Sequence, residues 1–211
     1  ACCEALAATP RPDLRRLCAV YCSIDARSFT ALTQAPLPSL RHLEIPSNEL
    51  GDDIAGALAR AGWLDHLHTL SLRRSRLGER SAHALAARHL GALRELDLSC
   101  NDLDDAALEA IADASWIERL ERLDLGMNPA SDAALARVLA HPTPELHTLH
   151  LYRTNFGPTS LAALRAHPRP CLRTLNLVNA LRDVKDSQVE ALVDTPGFEA
   201  LEEVEHREIV Y

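Results

Sequence analysis

The sequence predicts an α/β solenoid: a coil in which short strands stack into one parallel sheet and helices return on the other side. Three observations predict it. A leucine recurs at a nearly constant spacing along most of the 211 residues. Each of these leucines opens a segment that alternates apolar and polar residues, as a strand does. An alanine-rich segment with apolar residues about 3.6 positions apart follows, as in a helix.

The recurring leucines define repeats of 26 or 27 residues, and only the last step, of 29, is longer. They stand at positions 14, 40, 67, 93, 120, 146, 172 and 201. In stacked repeats each unit covers the apolar face of its neighbour. We predict a single domain, 1–211, with about seven repeats over 14–200. Residues 1–13 would form a half-repeat or N-terminal cap, and 201–211 a terminal strand or C-terminal cap.

The best copy of the repeat is Leu-x-x-Leu-x-Leu-x-x-Asn-x-Leu, over residues 93–103. Alternation places Leu96 and Leu98 in the core and Glu95, Asp97 and Ser99 outside. The asparagine closes the strand, and we expect its side chain to bond backbone groups of adjacent turns that would otherwise be buried and unpaired. The residues at this position are Cys22, Asn48, Ser75, Asn101, Asn128, Thr154 and Ala180.

Alanine cannot replace the asparagine in this role. Two alternatives therefore remain at Ala180: water fills in, or Asn179 takes the role after a shift of one residue. Elsewhere the second halves of the repeats predict helices, because 104–112 and 131–139 each open with a capping residue or an early acid. Trp63 and Trp116 both stand four residues before a repeat start, so we expect both to fill the core there.

These motifs resemble the leucine-rich-repeat family over about residues 14–211, and the helical halves are similar to its ribonuclease-inhibitor-like subclass with slightly shorter repeats. The resemblance implies a right-handed horseshoe arc, with the parallel sheet on the concave face and the helices on the convex face. It also implies a non-catalytic module that binds another protein on the concave face.

Composition narrows the partner class. The net charge of −8 disfavours nucleic acid, because phosphate binding needs a basic surface. The sequence contains no run of about 18 apolar residues, the length that a membrane-spanning helix needs. Residues 1–4 lack the basic start and apolar core of a signal peptide. We therefore expect a protein partner, no nucleic acid and no membrane, a cytoplasmic location, and a monomer as the isolated domain.

No catalytic motif is present, so we predict that the chain is not an enzyme and holds no metal or cofactor. The sequence contains no glycine-rich phosphate loop, HExxH or GxSxG. Cys100 has no base at a fixed spacing that would make it a nucleophile. Cys2, Cys3, Cys18 and Cys22 could form a zinc or redox site, but we favour buried or capping roles, with Cys22 inward and Cys18 outward.

Candidate binding residues lie on the outward strand positions. Glu44, Glu95, Asp97 and Asp124 form an acidic strip, and arginines and tyrosines, among them Tyr21, line the side toward the turns. Arginine and tyrosine are common in interface hot spots. The alternative is a solvated sheet whose charges pair across strands. The predicted partner-binding set is Glu44, Arg73, Arg74, Arg76, Glu95, Asp97, Asp124, His150, Tyr152 and Arg153.

Both ends of the chain match parts of a repeat. Residues 4–14 match 136–146, so the chain begins on a helical half, and His206 stands where a core leucine is expected. We therefore expect a piece of a longer protein. The alternative function is a structural or regulatory arm of a larger protein whose catalytic domain lies outside this chain.

Overall fold

A computed structural model describes residues 11–206 together with Cys3, Ala8 and Thr9. Within this part, eight three-residue strands form one sheet in chain order, and every neighbouring pair is parallel. Each strand begins two residues after a leucine of the repeat series. The strands are β1 Arg16–Cys18, β2 His42–Glu44, β3 Thr69–Ser71, β4 Glu95–Asp97, β5 Arg122–Asp124, β6 Thr148–His150, β7 Thr174–Asn176 and β8 Glu203–Glu205.

A helix follows each of the first seven strands. The helices are α1 Ala26–Thr33, α2 Ala55–Arg60, α3 Glu79–Ala86, α4 Asp105–Ala112, α5 Asp132–Leu139, α6 Pro158–Ala166 and α7 Asp186–Glu190. Short 3-10 turns occupy Asp52–Ile54, Gly62–His66 and Ile117–Arg119. Consecutive helices from α1 to α6 pack side by side, as the strands do. The predicted α/β solenoid is therefore confirmed. No helix in the described residues has the length and apolar character needed to span a bilayer.

The leucines of each repeat form a continuous core between sheet and helices. Leu93, Leu96 and Leu98 are buried, as predicted. The prediction for Ser99 was wrong: the residue was expected to point outward, but it is fully buried. The strand ends at Asp97, and the Asp97 carboxylate accepts hydrogen bonds from the backbone N–H and the hydroxyl of Ser99. The alternation of strand residues therefore stops one position before Ser99.

The predicted asparagine network is confirmed. Asn101 Oδ1 accepts from the backbone N–H of Ser75 and Leu77, at 2.9 and 3.1 Å. Asn101 Nδ2 donates to the carbonyls of Leu72 and Leu98, at 3.0 and 2.9 Å. One buried side chain thus satisfies four backbone groups in two adjacent repeats. The side chains of Asn48 and Asn128 also bond backbone groups of two adjacent repeats, and Asn128 Oδ1 accepts from the N–H of Leu103.

Two positions of this network depart from expectation. At Ala180 the register does not shift, because β7 stays aligned with β6 and Asn179 stays exposed. Cys22 was expected to point inward, but its side chain is exposed and its thiol donates to the Val20 carbonyl. Asn48 of the next repeat accepts from the Cys22 N–H. In the described residues β1 is the edge strand, so no earlier turn covers Cys22.

Helix caps join neighbouring repeats. The predicted caps Asp104 and Ser131 accept from the backbone N–H of Ala107 and Ala134 in their own helices. Helix α6 instead has Gly157 at its N-cap position, and its first turn is capped by Asp132 of the preceding repeat. The Asp132 carboxylate accepts from the N–H of Gly157, Thr159 and Ser160. Asp52 caps the start of α3 in the same way.

The remaining structural predictions concern the tryptophans and the ends. Trp63 and Trp116 are buried, as expected, and Trp116 Nε1 donates to the Leu85 carbonyl. At the C-terminal end His206 faces inward, with its ring nitrogens 3.5 Å from Asp186 Oδ1 and 3.4 Å from Glu190 Oε1. Most of the expected N-terminal half-repeat, Cys2 included, and residues 207–211 lie outside the described residues. Cys3 is buried.

Candidate functional site

The site is built on a row of residues that follow the strands by three positions. All seven have a positive φ, between 52° and 56°. We name them the left-handed row: Tyr21, Ser47, Arg74, Cys100, Met127, Arg153 and Asn179. This conformation costs a non-glycine residue about 1–2 kcal/mol. Because it recurs in every repeat from β1 to β7, the strain belongs to the turn geometry of the coil.

Hydrogen bonds from each repeat to the next hold the row in place. The N–H groups of Arg74, Cys100, Met127 and Arg153 donate to carbonyls in the following repeat at 2.8 to 2.9 Å. The parallel ladder therefore continues past the strand ends, and the row is spaced like the sheet, about 4.8 Å per repeat. Its side chains project from a backbone that is already fixed.

The acidic strip is largely occupied by contacts within the chain. Glu44 Oε1 lies 3.0 Å from Arg16 Nη1. Asp97 accepts from the Ser71 hydroxyl at 3.1 Å as well as from Ser99. Glu95 is exposed. Pairing across strands, the alternative to partner binding, therefore accounts for part of this strip.

Asp124 departs from the expectation of an outward, available carboxylate. It is only 6% exposed. Its Oδ1 accepts from the Gly126 N–H at 3.0 Å, and its Oδ2 lies 3.3 Å from His150 Nδ1. Asp97 and Asp124 thus have the same structural role. Each carboxylate accepts a hydrogen bond from the backbone N–H of the residue two positions later, where its strand ends. Among the acids of the strip, Glu95 keeps the greatest access to solvent.

The arginines beside the turns are exposed and unpaired. Arg73, Arg74, Arg76 and Arg153 form no ion pair with any carboxylate among the described residues, whereas arginines elsewhere do. Partial burial acts to lower the pKa of Arg73, but Tyr152, Cys100 and Asp97 nearby raise it above its ordinary value. The group stays a cation, and its charge is available to a partner.

The Tyr152 ring lies against Gly126 of the preceding repeat. A Cβ at Gly126 would come within 2.3 Å of the Tyr152 ring, so the glycine makes room for it. Burial raises the pKa of Tyr152 to about 12, and the phenol stays protonated at neutral pH. The Cys100 thiol lies 3.7 Å from the Tyr152 hydroxyl and 3.6 Å from Met127 Sδ.

The structure brings together residues that the predicted set leaves out. Tyr21 is 71% exposed and Met127 is 41% exposed. Cys100 lies between Arg74 and Met127 in the left-handed row and is half-buried. The signal for all three is their position three residues after a strand, which the repeat alignment contains. The predicted set took Arg74 and Arg153 from this row and left out Cys100 and Met127 between them.

No group of three or more His, Cys, Asp or Glu side chains in the described part of the chain is arranged to hold a metal ion. The groups that converge here are arginines, a tyrosine and two sulfur-containing side chains. Such groups bind a surface through salt bridges and van der Waals contact.

Known proteins with leucine-rich repeats are similar to this chain. A family model described as "Leucine Rich repeat" matches residues 37–59 and 93–112. Ribonuclease inhibitor of Sus scrofa is 34% identical over 145 residues, covering 63% of this chain and 31% of that protein. Tonsoku-like protein of Bos taurus is 34% identical over 124 residues, covering 57% of this chain and 7% of that protein. The chain therefore spans less than a third of either relative.

Two solved structures share the fold at low identity. The internalin C2 structure from Listeria monocytogenes has a TM-score of 0.53 and 19% identity, covering 92% of this chain and 80% of that chain. The Arabidopsis HAESA ectodomain, solved with an IDA peptide hormone ligand, has a TM-score of 0.51 and 19% identity. That match covers 88% of this chain and 29% of the ectodomain. Both likenesses concern the fold.

Proposed function

The chain belongs to the leucine-rich-repeat family and is similar to its ribonuclease-inhibitor-like members; on this premise we propose that it is a non-catalytic module that binds another protein on the concave face of its sheet. One observation carries the proposal. Exposed arginines without a partner carboxylate stand beside a half-buried tyrosine and an exposed methionine on a rigid, continuously hydrogen-bonded backbone.

A fixed backbone favours binding because little conformational entropy is lost when a partner docks. Eight strands at about 4.8 Å give a face about 34 Å long. A face of this length can bury the roughly 800 Å² per partner of a specific interface. The ribonuclease inhibitor among the relatives is named for its action on a protein, which supports the class of function and names no partner for this chain.

The test is affinity capture with a quadruple variant, Arg73→Ala, Arg74→Ala, Tyr152→Ala and Arg153→Ala. The matched control removes three arginine charges from the helix side, with Arg60→Ala, Arg80→Ala and Arg137→Ala. We expect proteins captured by the wild type and the control to be absent with the quadruple variant, while melting curves show that all three proteins are folded. Captured sets that do not differ between folded wild type and quadruple variant would reject this face.

A second candidate is a structural or regulatory arm of a larger protein whose catalytic domain lies elsewhere. The short matched share of both relatives favours it, since this chain aligns with 31% of one and 7% of the other. Capture experiments separate the two candidates. If the flanking regions alone capture the same partners as the longer protein, the arm is the better description.

We also propose that the protein acts in the cytoplasm and that the isolated domain is a monomer. The exposed thiols of Cys18 and Cys22 suit a reducing compartment, because oxidising compartments join such thiols into disulfides. Sedimentation at micromolar concentration tests the monomer. Assay of the purified chain against hydrolase substrates, with Cys100→Ala as the control, tests the non-catalytic proposal.

A further inference from the structure

The middle of the left-handed row has a distinct order of side chains. Cys100 and Met127 are adjacent, and Arg74 and Arg153 stand on either side of them. Three repeat steps separate the two arginines, which places their backbones about 14 Å apart at 4.8 Å per step. The N–H ladder through all four residues fixes this separation.

The apolar part of this segment is open on its outer side. Met127 is 41% exposed, and its sulfur lies 3.6 Å from the Cys100 sulfur. The Tyr152 hydroxyl lies 3.7 Å from the Cys100 sulfur. Thioether and thiol groups are polarisable and adapt their shape to an apolar side chain. The segment therefore offers a small apolar patch with a cation at each end.

Neither of the two arginines at its ends is neutralised by an ion pair among the described residues. Arg74 shares a surface hollow with Arg76, Glu49 and Asp102, although no carboxylate of the described residues lies within ion-pair distance of it. Arg153 borders another hollow beside Arg182 and Asp186, again without an ion pair in the described part of the chain. No member of the row is acidic. An incoming carboxylate therefore meets two accessible guanidinium groups, which bind carboxylates through two parallel hydrogen bonds.

Building on the proposed function, we propose that this segment binds an acidic stretch of the partner in extended conformation, with two carboxylates four residues apart and a large aliphatic side chain midway. An extended chain advances about 3.3 Å per residue, so four residues span about 13 Å. Side chains at positions one, three and five share one face of an extended chain. The outer two reach Arg74 and Arg153, and the central one covers Cys100 and Met127.

The same spacing discriminates against other partners. Four residues of an α-helix advance only about 6 Å, so a helix with this acid spacing cannot reach both arginines. A nucleic acid offers phosphates, but the apolar centre gives it no matching contact and the chain carries a net charge of −8. The recognised feature is the order acid, aliphatic, acid on one face.

The test uses defined peptides and the whole chain. One end-blocked, fluorescently labelled peptide carries Glu-Ser-Leu-Ser-Glu between glycine–serine flanks, and a second carries the same residues permuted to Glu-Glu-Ser-Leu-Ser. Fluorescence anisotropy at low salt gives the two dissociation constants. We expect the permuted peptide to bind about two- to fivefold more weakly, the size of one lost surface ion pair.

Variants of the chain assign the contacts. Arg74→Gln and Arg153→Gln should each weaken binding of the first peptide about fivefold and reduce its preference over the permuted one. Met127→Glu should abolish that preference, because it places a negative charge between the arginines. The control Arg80→Gln removes an equal charge on helix α3 and should leave binding unchanged within about twofold. Melting temperatures establish that each variant is folded.

Several results would overturn the inference. Equal binding of the two peptides, no effect of either arginine variant, or a duplex DNA that binds more tightly than the first peptide each do so. The outcome is distinct from that of the proposed function. If the quadruple variant loses captured proteins while the two peptides bind alike, the proposed interaction module is supported and the proposed acidic motif is rejected. If the quadruple variant also captures the same proteins as the wild type, both proposals are rejected.

Discussion

At the scale of single residues, this chain depends on a few buried polar side chains that bond backbone groups. Asn48, Asn101 and Asn128 are nearly fully buried, yet their amides are satisfied. Arg169 does related work: its buried guanidinium donates to the carbonyls of Leu139, His141 and His167, near the ends of helices α5 and α6. Burial lowers its pKa to about 10, and the group stays charged at neutral pH.

The asparagine network gives a residue-scale prediction. Asn101→Ala would leave two donors and two acceptors of the backbone without this partner, so we expect the free energy of unfolding to fall by about 3 kcal/mol. Urea denaturation followed by circular dichroism measures it. The control is Asn179→Ala at an exposed position of the left-handed row, where we expect a loss of at most about 1 kcal/mol. Equal losses at the two positions would contradict the prediction.

At the scale of elements, the starts of helices α3 and α6 depend on the repeat before them. A carboxylate from α5 caps α6, and Asp52 in the preceding 3-10 turn caps α3. Glycine at the cap position leaves room, because a Cβ at Gly157 would come within 2.6 Å of Asp132 Oδ2. Burial acts to raise the pKa of Asp132, but hydrogen bonds from Ser160, Thr159 and Gly157 hold it below its ordinary value.

This cap predicts a pH-dependent effect. Because the folded-state pKa of Asp132 is lowered, its stabilisation is fully present above the unfolded pKa of about 3.9 and is lost as pH falls through the folded value. We expect Asp132→Ala to lower the free energy of unfolding by about 1–2 kcal/mol at pH 7. The difference from wild type should persist to about pH 4 and shrink below it.

The control for the cap is Asp113→Ala. Asp113 is exposed and pairs with Arg137 at 3.0 Å, a surface ion pair worth at most about 1 kcal/mol. Thermal melts of both variants from pH 7 to about pH 2.5 compare the two. A loss at Asp132 that stays constant down to the lowest pH would show that the charge of the carboxylate is irrelevant.

At the scale of the whole molecule, the stability of each repeat depends on its contacts with the adjacent repeats. Each strand pairs only with the strand before and after it in chain order, and helices contact helices of adjacent repeats. Stability in such a stack is close to a sum of repeat and interface terms. Damage to a central repeat should therefore spread first to its immediate neighbours.

Leu96→Ala tests this coupling. The side chain is 1% exposed at the centre of β4, so we expect a loss of about 2–5 kcal/mol. Hydrogen exchange read by mass spectrometry should show reduced protection in β3, β4 and β5 before β7. The half-buried Leu17 of β1 is the matched control, and Leu17→Ala should cost less. Uniform loss of protection along the whole sheet would contradict nearest-neighbour coupling.

The sequence by itself determined the solenoid, because leucine spacing and the 2.0 and 3.6 periods report which faces are buried, and these depend on local geometry. It also located the asparagine network and the strand register. It did not determine which polar groups remain available. Asp124 and Cys22 differ from expectation because their exposure depends on neighbouring repeats about 26 residues away in sequence, and Ser99 differs because the strand alternation ends before it.

Only the tertiary structure decided how the candidate surface is composed. It showed that Glu44, Asp97 and Asp124 of the strip bond within the chain, whereas the arginines beside the turns form no ion pair among the described residues, since ion pairs depend on side-chain direction across repeats. It also placed Cys100 and Met127 between Arg74 and Arg153 on a hydrogen-bonded backbone. The leucine period indicates which residues are buried, and burial follows from local geometry. An interface depends instead on how exposed side chains from different repeats are arranged in space, and that arrangement arises only when the repeats stack.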